Sequence, residues 1–452
     1  MTLEKEHIVN QMPDITPAAI ALSQLHSSLG DPVLGAMSFL NEIMERYPHA
    51  ISFAPGAPYP GFYDDVDVGR YLDRYMNHLK RTRGLTDGQV RKCLYQYGPS
   101  KGEINALLAD ALRIDLGIDV AATSIVVTVG CQEALVLALR ALCATSTDVL
   151  AIVNPSFVGI HGAARLLNVK TVAVAESSAG LDWDGIVRTC HAARARGERV
   201  RAMYVAPDFS NPSGSRLSLE GRYRLLALAE TEDFLLLEDN AYGFTGCPAE
   251  SLPTLKALDV NGRVLYFGTC AKTCLPGARV GFVVADQPVA DDAGRMSLLA
   301  DHLAALKSML TVNTSPICQA LVGGMLLEHG GSFHQAARAK SAFYQENLSH
   351  LLRALERYLG GKQAVRRVTW NVPDGGFFVR VHLPVATDMA LLEHCADRFK
   401  VLWTPMSPFH LDGSGDHALR LSCSYLTSEQ IDEGIQRFAQ FVRAVCVSPF
   451  PL

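Results

Sequence analysis

Between residues 105 and 285 the chain alternates short apolar segments with segments of helix length. Most of the apolar segments are nearly continuous rather than alternating in polarity, which is typical of strands covered by helices on both faces. This alternation predicts an α/β domain with a mostly parallel, seven-stranded sheet joined by right-handed crossovers. The predicted strands are SIVVTVG (124–130), VLAIVNP (149–155), VKTVAVA (169–175), AMYVAPD (202–208), FLLLEDN (234–240), VLYFGT (264–269) and RVGFVVA (279–285).

A second, smaller α+β unit is predicted after the sheet. Residues 290–355 have long helical patterns, and the segments GGFFVRVHLP, VLWTPM and ALRLSCSY precede a final amphipathic helix. The apolar stretch APGAPYPGF (54–62) is short and rich in Gly and Pro, which favours a loop that lines a site over a linker. We predict three parts: an N-terminal arm and substrate loop (1–62) that packs with the small domain, a large domain (63–335) and a small C-terminal domain (336–452).

Charge and cysteine content exclude several classes of protein. The 452 residues include 41 Lys and Arg against 46 Asp and Glu, a net charge of −5, with no long block of like charge that would bind nucleic acid or a membrane surface. The eleven cysteines are scattered without a CxxC pair, which indicates a reduced compartment and predicts no metal site. The N-terminus lacks the apolar core of a signal peptide, and no run approaches the roughly 20 apolar residues that span a bilayer. We therefore expect a cytoplasmic protein that acts on small molecules, with neither nucleic acid nor membrane as a partner.

Four polar residues lie at the carboxyl ends of successive predicted strands. Asn211, Asp239, Tyr242 and Lys272 are separated by 28 residues from the first to the second and by 33 from the second to the last, about one crossover unit each. Because open α/β sheets bind ligands at the carboxyl ends of their strands, we expect these side chains to share one crevice. A lysine, a carboxylate and a phosphate-binding turn in one crevice are what a pyridoxal phosphate enzyme requires. The lysine amine binds the cofactor aldehyde and moves the α-proton, and the carboxylate keeps the ring nitrogen protonated.

These residues lie in motifs that resemble those of the fold type I, class I and II aminotransferases, over nearly the whole chain. TCAKTCLPGARVG is similar to the family's Schiff-base motif, which implies Lys272 as the cofactor lysine and Arg279 as the phosphate-binding arginine. EDNAY is similar to the family's aspartate-to-tyrosine spacing, which implies Asp239 at the pyridine nitrogen and Tyr242 at the ring hydroxyl. NPSG is similar to the family's NPTG and implies Asn211 at the same hydroxyl.

The phosphate end of the cofactor site is implied by two further segments. GCQEAL resembles the phosphate loop, in which Gly130, Cys131 and Gln132 would present backbone N–H groups at a helix N-terminus. Ala271 departs from the family pattern, because a serine usually precedes the lysine. We therefore expect Thr269 to supply the phosphate hydroxyl by itself, which removes one hydrogen bond of about 1 kcal/mol.

The remaining site residues also follow from the resemblance. It implies that Phe157 stacks on the pyridine ring, that Tyr97 reaches the phosphate in the partner subunit, and that Arg420 grips the substrate carboxylate. Gly56 matches the loop that lies over the substrate. Met406 stands where many relatives have glycine, which predicts a reshaped substrate side. The family is dimeric with shared active sites, so a homodimer is expected.

Taken singly, several of these residues have ordinary structural explanations. Lys272 could be a surface lysine after a strand, Asp239 a helix N-cap, and Arg420 half of a structural ion pair. Phe157 could belong to the core. The surrounding motifs favour the cofactor and substrate roles, because each motif supplies several matching residues at the expected spacing.

The reaction implied by the resemblance is reversible transfer of an amino group between an amino acid and a 2-oxo acid. Segments such as MSFLNEI, SFAPGAP and YGPSKG resemble transaminases that make aryl glycines for peptide antibiotics, which implies secondary metabolism. One alternative keeps the cofactor and changes the reaction to β- or γ-elimination, replacement, cyclisation or carbon-carbon bond formation, for example on S-adenosylmethionine. Another is a pyridoxal phosphate sensor fused to a DNA-binding module, which is disfavoured because the roughly 35 residues before MSFLNEI are too few and too acidic for such a module.

Overall fold

The computed structural model of the protein describes residues 20–31, 34–35, 42–177, 180–363 and 365–447. The β-strands of these ranges are, in chain order, β1 (Ile51–Ser52), β2 (Ile125–Val129), β3 (Asp148–Asn154), β4 (Lys170–Ser177), β5 (Gly180–Leu181), β6 (Arg199–Val205), β7 (Leu235–Asn240), β8 (Val264–Thr269), β9 (Val280–Val284), β10 (Pro288–Ala290), β11 (Met296–Leu298), β12 (Thr369–Trp370), β13 (Phe378–His382), β14 (Val401–Leu402), β15 (Thr404–Pro405) and β16 (Ala418–Ser422).

The main sheet contains the seven predicted strands in the order β2, β9, β8, β7, β6, β3, β4. The strands β8, β7, β6, β3 and β4 pair in parallel, and β9 runs antiparallel between β2 and β8. The predicted α/β fold with a mostly parallel sheet is confirmed. The two-residue strand β5, which was not predicted, pairs antiparallel with the edge strand β4.

Helices cover both faces of the main sheet, and this explains why its strands are apolar throughout. Successive residues of a strand point to opposite faces. Val126 packs into one core and Val127 into another, and Leu265 and Tyr266 of β8 divide in the same way. The assigned helices are α1 (Val68–Arg83), α2 (Asp87–Tyr95), α3 (Asn105–Leu116), α4 (Gly130–Leu142), α5 (Val158–Leu166), α6 (Trp183–Ala195), α7 (Leu219–Thr231), α8 (Leu255–Leu258), α9 (Leu299–Leu310), α10 (Pro316–Glu328), α11 (Phe333–Leu359), α12 (Met389–Phe399) and α13 (Ser428–Val447).

The C-terminal part of the chain forms a second sheet of four strands in the order β12, β13, β16, β15, all antiparallel. Its core includes residues of α11, α12 and α13. A separate parallel pair joins β1 to β14, with Ile51 opposite Val401, and Phe53 and Ala54 are buried in the same C-terminal core. The segment that precedes the large sheet in sequence therefore packs with the end of the chain.

The division into parts 1–62, 63–335 and 336–452 remains a proposal, and the pairing of β1 with β14 supports packing of the first part with the third. Much of the predicted N-terminal arm, including residues 1–19 and 36–41, lies outside the described residues. All eleven cysteines are unpaired thiols. Among the described residues, no cluster of His, Cys, Asp and Glu is arranged to hold a metal. None of the described helices combines the length and the apolar character needed to cross a membrane.

Candidate active site

The carboxyl ends of β2, β3, β6, β7 and β8 meet at one edge of the main sheet, because these strands run in the same direction. Asp239 lies near the end of β7, and Asn211 and Lys272 follow β6 and β8. The strand β9 runs the opposite way, so its first residue lies at the same edge. Its pairing with β2 places Arg279, which precedes β9, beside the turn between β2 and α4. One reversed strand in the sheet thus brings a cation to the edge where the polar residues converge.

A cavity of about 670 Å³ opens at this edge of the sheet. All but two of the residues predicted to form the site line it. They are Gly56, Cys131, Gln132, Phe157, Asn211, Asp239, Tyr242, Thr269, Lys272, Arg279 and Arg420. The structure therefore brings together side chains that are spread over most of the sequence.

Lys272 directs its amine into the cavity, where Nζ donates a hydrogen bond to the carbonyl oxygen of Gly56. Burial lowers the pKa of the Lys272 amine to about 8, and the charges of Arg420 and Arg279 act in the same direction. The carboxylate of Asp239 opposes this shift of the pKa. An amine with a pKa this close to neutrality exists partly in its neutral form, which can accept a proton.

Asp239 is 5% exposed and has one satisfied and one unsatisfied oxygen. Its Oδ2 accepts a hydrogen bond of 2.5 Å from the hydroxyl of Tyr204, whereas Oδ1 is buried and has no hydrogen-bond partner in the described structure. Burial raises the pKa of Asp239 to about 6, against the opposing effect of the Tyr204 hydrogen bond. Leaving a buried carboxylate oxygen unpaired is costly, so Oδ1 marks a position for a donor supplied by a ligand.

Arg420 connects the two sides of the cavity. Its Nη1 donates to Asn211 Oδ1 at 2.6 Å, and its Nη2 donates to the carbonyl oxygen of Ala54 at 2.6 Å. The guanidinium lies 4.3 Å from the ring centre of Phe378, and Nε has no partner in the described residues. Burial lowers the pKa of Arg420 to about 10, which leaves it cationic at neutral pH. Asn211 also hydrogen-bonds Tyr242, whose hydroxyl pKa is raised by burial.

The turn between β2 and α4 has the properties of an anion site. Gly130 adopts a left-handed φ of 72°, and a Cβ at this position would lie 2.3 Å from Nη2 of Arg279. Glycine is therefore required both by the backbone conformation and by the approach of the guanidinium. Cys131 follows in the first turn of α4, and burial raises the pKa of its thiol. On the other side, Thr269 Oγ1 accepts a hydrogen bond of 3.2 Å from the N–H of Ala271.

Phe157 and Gln132 lie against the same glycine. A Cβ on Gly159 would be 2.2 Å from both the Phe157 ring and Gln132 Oε1, so a larger residue at this position would displace both side chains. Gln132 Nε2 donates to the Gly159 carbonyl oxygen at 2.7 Å, while its Oε1 is buried without a partner among the described residues. Gly159 thus lets one aromatic ring and one amide border the cavity.

Two predicted site residues, Gly130 and Tyr97, do not line the cavity, and the predicted effect of Met406 on the substrate side is not seen there. Gly130 lies behind the guanidinium of Arg279, which fills the adjacent space. Tyr97 follows α2 on the surface and is 84% exposed. Met406 is fully buried at the end of β15 but does not line the cavity, so a reshaping of the substrate side by direct contact is not observed.

Tyr204 was not predicted from the sequence, although this residue donates a hydrogen bond to Asp239. Tyr204 lies on β6, next to β7 in the sheet, and the two residues are 35 positions apart in sequence. The available signal was a tyrosine near the carboxyl end of an otherwise apolar strand. Met44 and Ala206 also line the cavity and were not predicted.

Aromatic rings surround the substrate loop, which we define as residues 54–63. Tyr59 lies 5.0 Å from Phe343, and Phe62 lies 5.2 Å from Phe343 and 5.7 Å from Tyr344, measured between ring centres. Tyr344 in turn lies 4.5 Å from Phe377. The loop is therefore anchored by ring packing against α11 and the start of β13.

The sequence profile of aminotransferase class I and II matches residues 80–438. The (S)-3,5-dihydroxyphenylglycine transaminase of Amycolatopsis orientalis is 47% identical over 425 residues, which cover 94% of this chain and 95% of that protein. These matches extend over the main sheet, the cavity residues and most of the C-terminal sheet.

Solved structures agree with this similarity. An archaeal alanine:glyoxylate aminotransferase has a TM-score of 0.77 and 26% identity, over 92% of this chain and 96% of that one. The α-aminoadipate aminotransferase LysN of Thermus thermophilus, solved in complex with N-(5'-phosphopyridoxyl)-L-leucine, has a TM-score of 0.72 and 26% identity, over 92% and 98%. The similarity therefore covers nearly the full length of each chain.

Proposed function

The chain belongs to the class I and II aminotransferases, and on this premise we propose that its amino acid substrate carries an aryl side chain. It is a pyridoxal phosphate-dependent enzyme that transfers an amino group between an amino acid and a 2-oxo acid. One geometric observation carries the assignment of the site. The buried and unpaired Oδ1 of Asp239 shares a cavity with the low-pKa amine of Lys272.

The described residues fit the cofactor at three points. Asp239 Oδ1 is a buried acceptor that a protonated ring nitrogen would satisfy. The start of α4 and Arg279 provide N–H groups and a positive charge for a phosphate. Lys272 has an amine in the cavity that would hold the cofactor covalently, and Phe157 has a ring for stacking. We propose Asn211 and Tyr242 at the ring hydroxyl and Thr269 at the phosphate.

Pyridoxal phosphate, when bound, accepts the electron pair that the α-carbon of the amino acid retains after losing its proton. Lys272 Nζ takes that proton, and its pKa of about 8 allows both uptake and release near neutral pH. Asp239, ionised above about pH 6, holds a positive charge at the ring nitrogen. Arg420 orients the substrate carboxylate through its cationic fork. The apolar wall formed by Pro55 and its neighbours excludes water from the reacting atoms.

The proposal of an aryl substrate rests on the relative from Amycolatopsis orientalis and on the walls of the cavity. The substrate side is lined by Met44, Ala54, Pro55, Ala57 and Pro58, none of which carries a charge. Such walls suit a flat, apolar side chain better than a second carboxylate. A role in secondary metabolism and antibiotic biosynthesis is proposed from the resemblance of MSFLNEI, SFAPGAP and YGPSKG to aryl glycine transaminases.

A homodimer with shared active sites is also part of the proposal. Tyr97 is 84% exposed, and a Cβ on the adjacent Gly98 would be 3.7 Å from Asn313, so this segment lies beside the end of α9. Met309 and Leu310 there are 83% and 59% exposed. Large exposed apolar side chains support an interface, and Tyr97 would reach the partner's phosphate from it. The charge balance and unpaired cysteines support a cytoplasmic location.

The proposed function is tested by mixing the purified holoenzyme with single amino acids in the absence of any oxo acid. The panel includes L-tyrosine, aryl glycines, an aliphatic amino acid and S-adenosylmethionine. Loss of the visible absorbance of the lysine-bound cofactor, with one oxo acid formed per site, is expected for an aryl substrate. Reaction with only aliphatic amino acids would overturn the aryl proposal, and an elimination product with the absorbance restored would favour the alternative reactions.

A further inference from the structure

A second lysine, Lys340 on α11, contacts the backbone directly after Lys272. Its Nζ donates to the carbonyl oxygens of Thr273 at 2.8 Å and of Cys274 at 3.0 Å. Lys340 was not among the predicted site residues and does not line the cavity. Lys340 therefore contacts the main chain next to the cofactor lysine from outside the cavity.

These two carbonyls need an external donor because of the local fold. The N–H of Cys274 donates to the carbonyl oxygen of Cys270 at 2.8 Å, which closes one helical turn around Lys272. The carbonyls at the C-terminal end of a helical turn have no partner within the turn. A lysine at this position satisfies them and complements their partial negative charge. Lys340 thus fixes the end of the turn that carries Lys272.

Lys340 also contacts the substrate loop. Its Nζ lies 5.9 Å from the ring centre of Phe62 and 5.4 Å from that of Tyr63. Burial lowers the pKa of Lys340, and the thiol of Cys274, rather than any carboxylate of the described residues, opposes that shift. A partly buried cation without a carboxylate is unfavourable unless other groups stabilise it, and here two carbonyls and two ring faces do so.

The next turn of α11 reinforces the same connection. Phe343 and Tyr344 pack against Phe62, with ring centres 5.2 and 5.7 Å apart. Ser341 Oγ donates to the carbonyl oxygen of Gly246 at 2.6 Å, in the segment that follows Tyr242. Two turns of one helix therefore contact the turn of the cofactor lysine, the substrate loop and the segment after the site tyrosine.

We propose that Lys340 is a positioning residue for transamination, which holds the Lys272 amine in a fixed position relative to the substrate loop. The proposal rests on the role proposed above for Lys272. Lys340 acts through the backbone, because its Nζ hydrogen-bonds the carbonyl oxygens of Thr273 and Cys274 and does not line the cavity.

The test compares K340M and K340Q with R338M, which removes an exposed cation two residues away on the same helix. Three quantities are measured on the holoenzymes: kcat, KM for an accepted amino acid, and the pH midpoint of the absorbance of the lysine-bound cofactor. In both Lys340 variants, kcat falls about tenfold while KM changes less, as expected for loss of two hydrogen bonds that orient a reacting group. The pH midpoint rises, because the nitrogen that joins Lys272 to the cofactor would be less desolvated on a less constrained turn. R338M matches the wild type, and K340R, which keeps the donors, recovers part of the activity.

Cofactor content and thermal unfolding of each variant separate this effect from misfolding, and K340Q carries the test if K340M does not fold. The proposal is overturned if the Lys340 variants keep the wild-type midpoint and kcat, or lose thermal stability without a change in either. K272A is run in parallel. Retention of the lysine-bound absorbance in K272A would refute the role proposed for Lys272, whereas its loss in K272A with no effect of Lys340 substitution would refute only the role of Lys340.

Discussion

The two ends of the cavity are built in different ways. The end proposed to hold the cofactor, called the cofactor end, consists of residues at the ends of adjacent strands, such as Asp239 and Lys272, whose positions follow from the pairing of the main sheet. The end proposed to hold the substrate, called the substrate end, is lined by Met44 and the substrate loop, and rings of α11 pack against that loop. The cofactor end is thus fixed by backbone hydrogen bonds, while the substrate end depends on side-chain packing. Substitutions at the first should abolish the reaction, and those at the second should change its selectivity.

The largest effect is expected for Lys272→Ala. Removing the amine would remove both the proposed covalent attachment and the group proposed to move the proton, so kcat should fall by roughly 10⁴ or more. The visible absorbance of the lysine-bound cofactor should disappear, while circular dichroism stays unchanged because Lys272 lines the cavity and belongs to none of the hydrophobic cores. Turnover within tenfold of the wild type would contradict the assignment of Lys272.

Asp239→Asn should have the next largest effect. An amide keeps the shape and one hydrogen bond but cannot balance a positive charge at the ring nitrogen, so we expect kcat to fall about a thousandfold. Tyr204→Phe serves as the matched control, because it removes only the hydrogen bond to Asp239 Oδ2 and should cost about tenfold. Steady-state kinetics at saturating cofactor would measure both. Equal losses in the two variants would show that the charge of Asp239 is not the important property.

Arg420→Met tests the group that lies between the two ends. Loss of the cationic fork should raise KM for the amino acid about a hundredfold, with cofactor content and absorbance retained. Arg420→Lys keeps the charge but loses the geometry for two parallel hydrogen bonds. Its KM for the amino acid should lie between those of the wild type and the methionine variant. If the methionine variant instead loses the cofactor and keeps its KM, Arg420 belongs to the cofactor end.

Cofactor affinity should depend on pH through Asp239. Burial raises the pKa of this carboxyl to about 6, above its ordinary value, so protonation below that pH removes the negative charge that the ring nitrogen needs. Affinity should therefore rise with pH up to about 6 and fall about tenfold between pH 6 and pH 5. Fluorescence titration of the cofactor-free protein with pyridoxal phosphate would measure this. In Asp239→Asn the cofactor affinity should no longer depend on pH in this range. The same pH dependence in that variant would show that another titratable group causes it.

The smallest effect is expected at the substrate loop. Phe62→Leu removes ring contacts with Phe343 and Tyr344, which should raise KM for an aryl amino acid about threefold without changing cofactor affinity. Tyr223→Leu, at a position 55% exposed on α7, is the control for loss of an aromatic ring elsewhere. A change in cofactor affinity in Phe62→Leu would show that the two ends are not separate.

Prediction from sequence succeeded where local pattern determines position. Apolar runs of strand length predicted seven of the eight strands of the main sheet, all but the two-residue β5, and polar residues at their ends converge as expected. Arg279 shows the limit of this reasoning, because it reaches the site only through the reversed direction of β9, which the apolar pattern of RVGFVVA does not reveal. Arg279 was predicted from the resemblance of TCAKTCLPGARVG to the family's Schiff-base motif, and not from the apolar pattern.

Contacts between distant segments were not predictable. Tyr204 contacts Asp239 because their strands are neighbours in the sheet, and the sequence of neither segment indicates the strand order. Lys340 meets Thr273 through the packing of a helix whose sequence is amphipathic and otherwise ordinary. Tyr97 lies on the surface of the single chain, so its proposed role depends on a second subunit that one sequence does not describe.

The pairing of β1 with β14 influences the order in which the molecule can be completed during synthesis. The hydrogen bond from Thr404 to the carbonyl oxygen of Ala54 spans 350 residues, whereas the strands of the main sheet all lie between residues 125 and 284. The strands of the main sheet are therefore all translated before the C-terminal third, the helices at 316–328 and 333–359 then complete the cover of one face, and residues 51–54 wait longer still for β14. A nascent chain would complete the edge proposed to hold the cofactor before the end proposed to bind the amino acid.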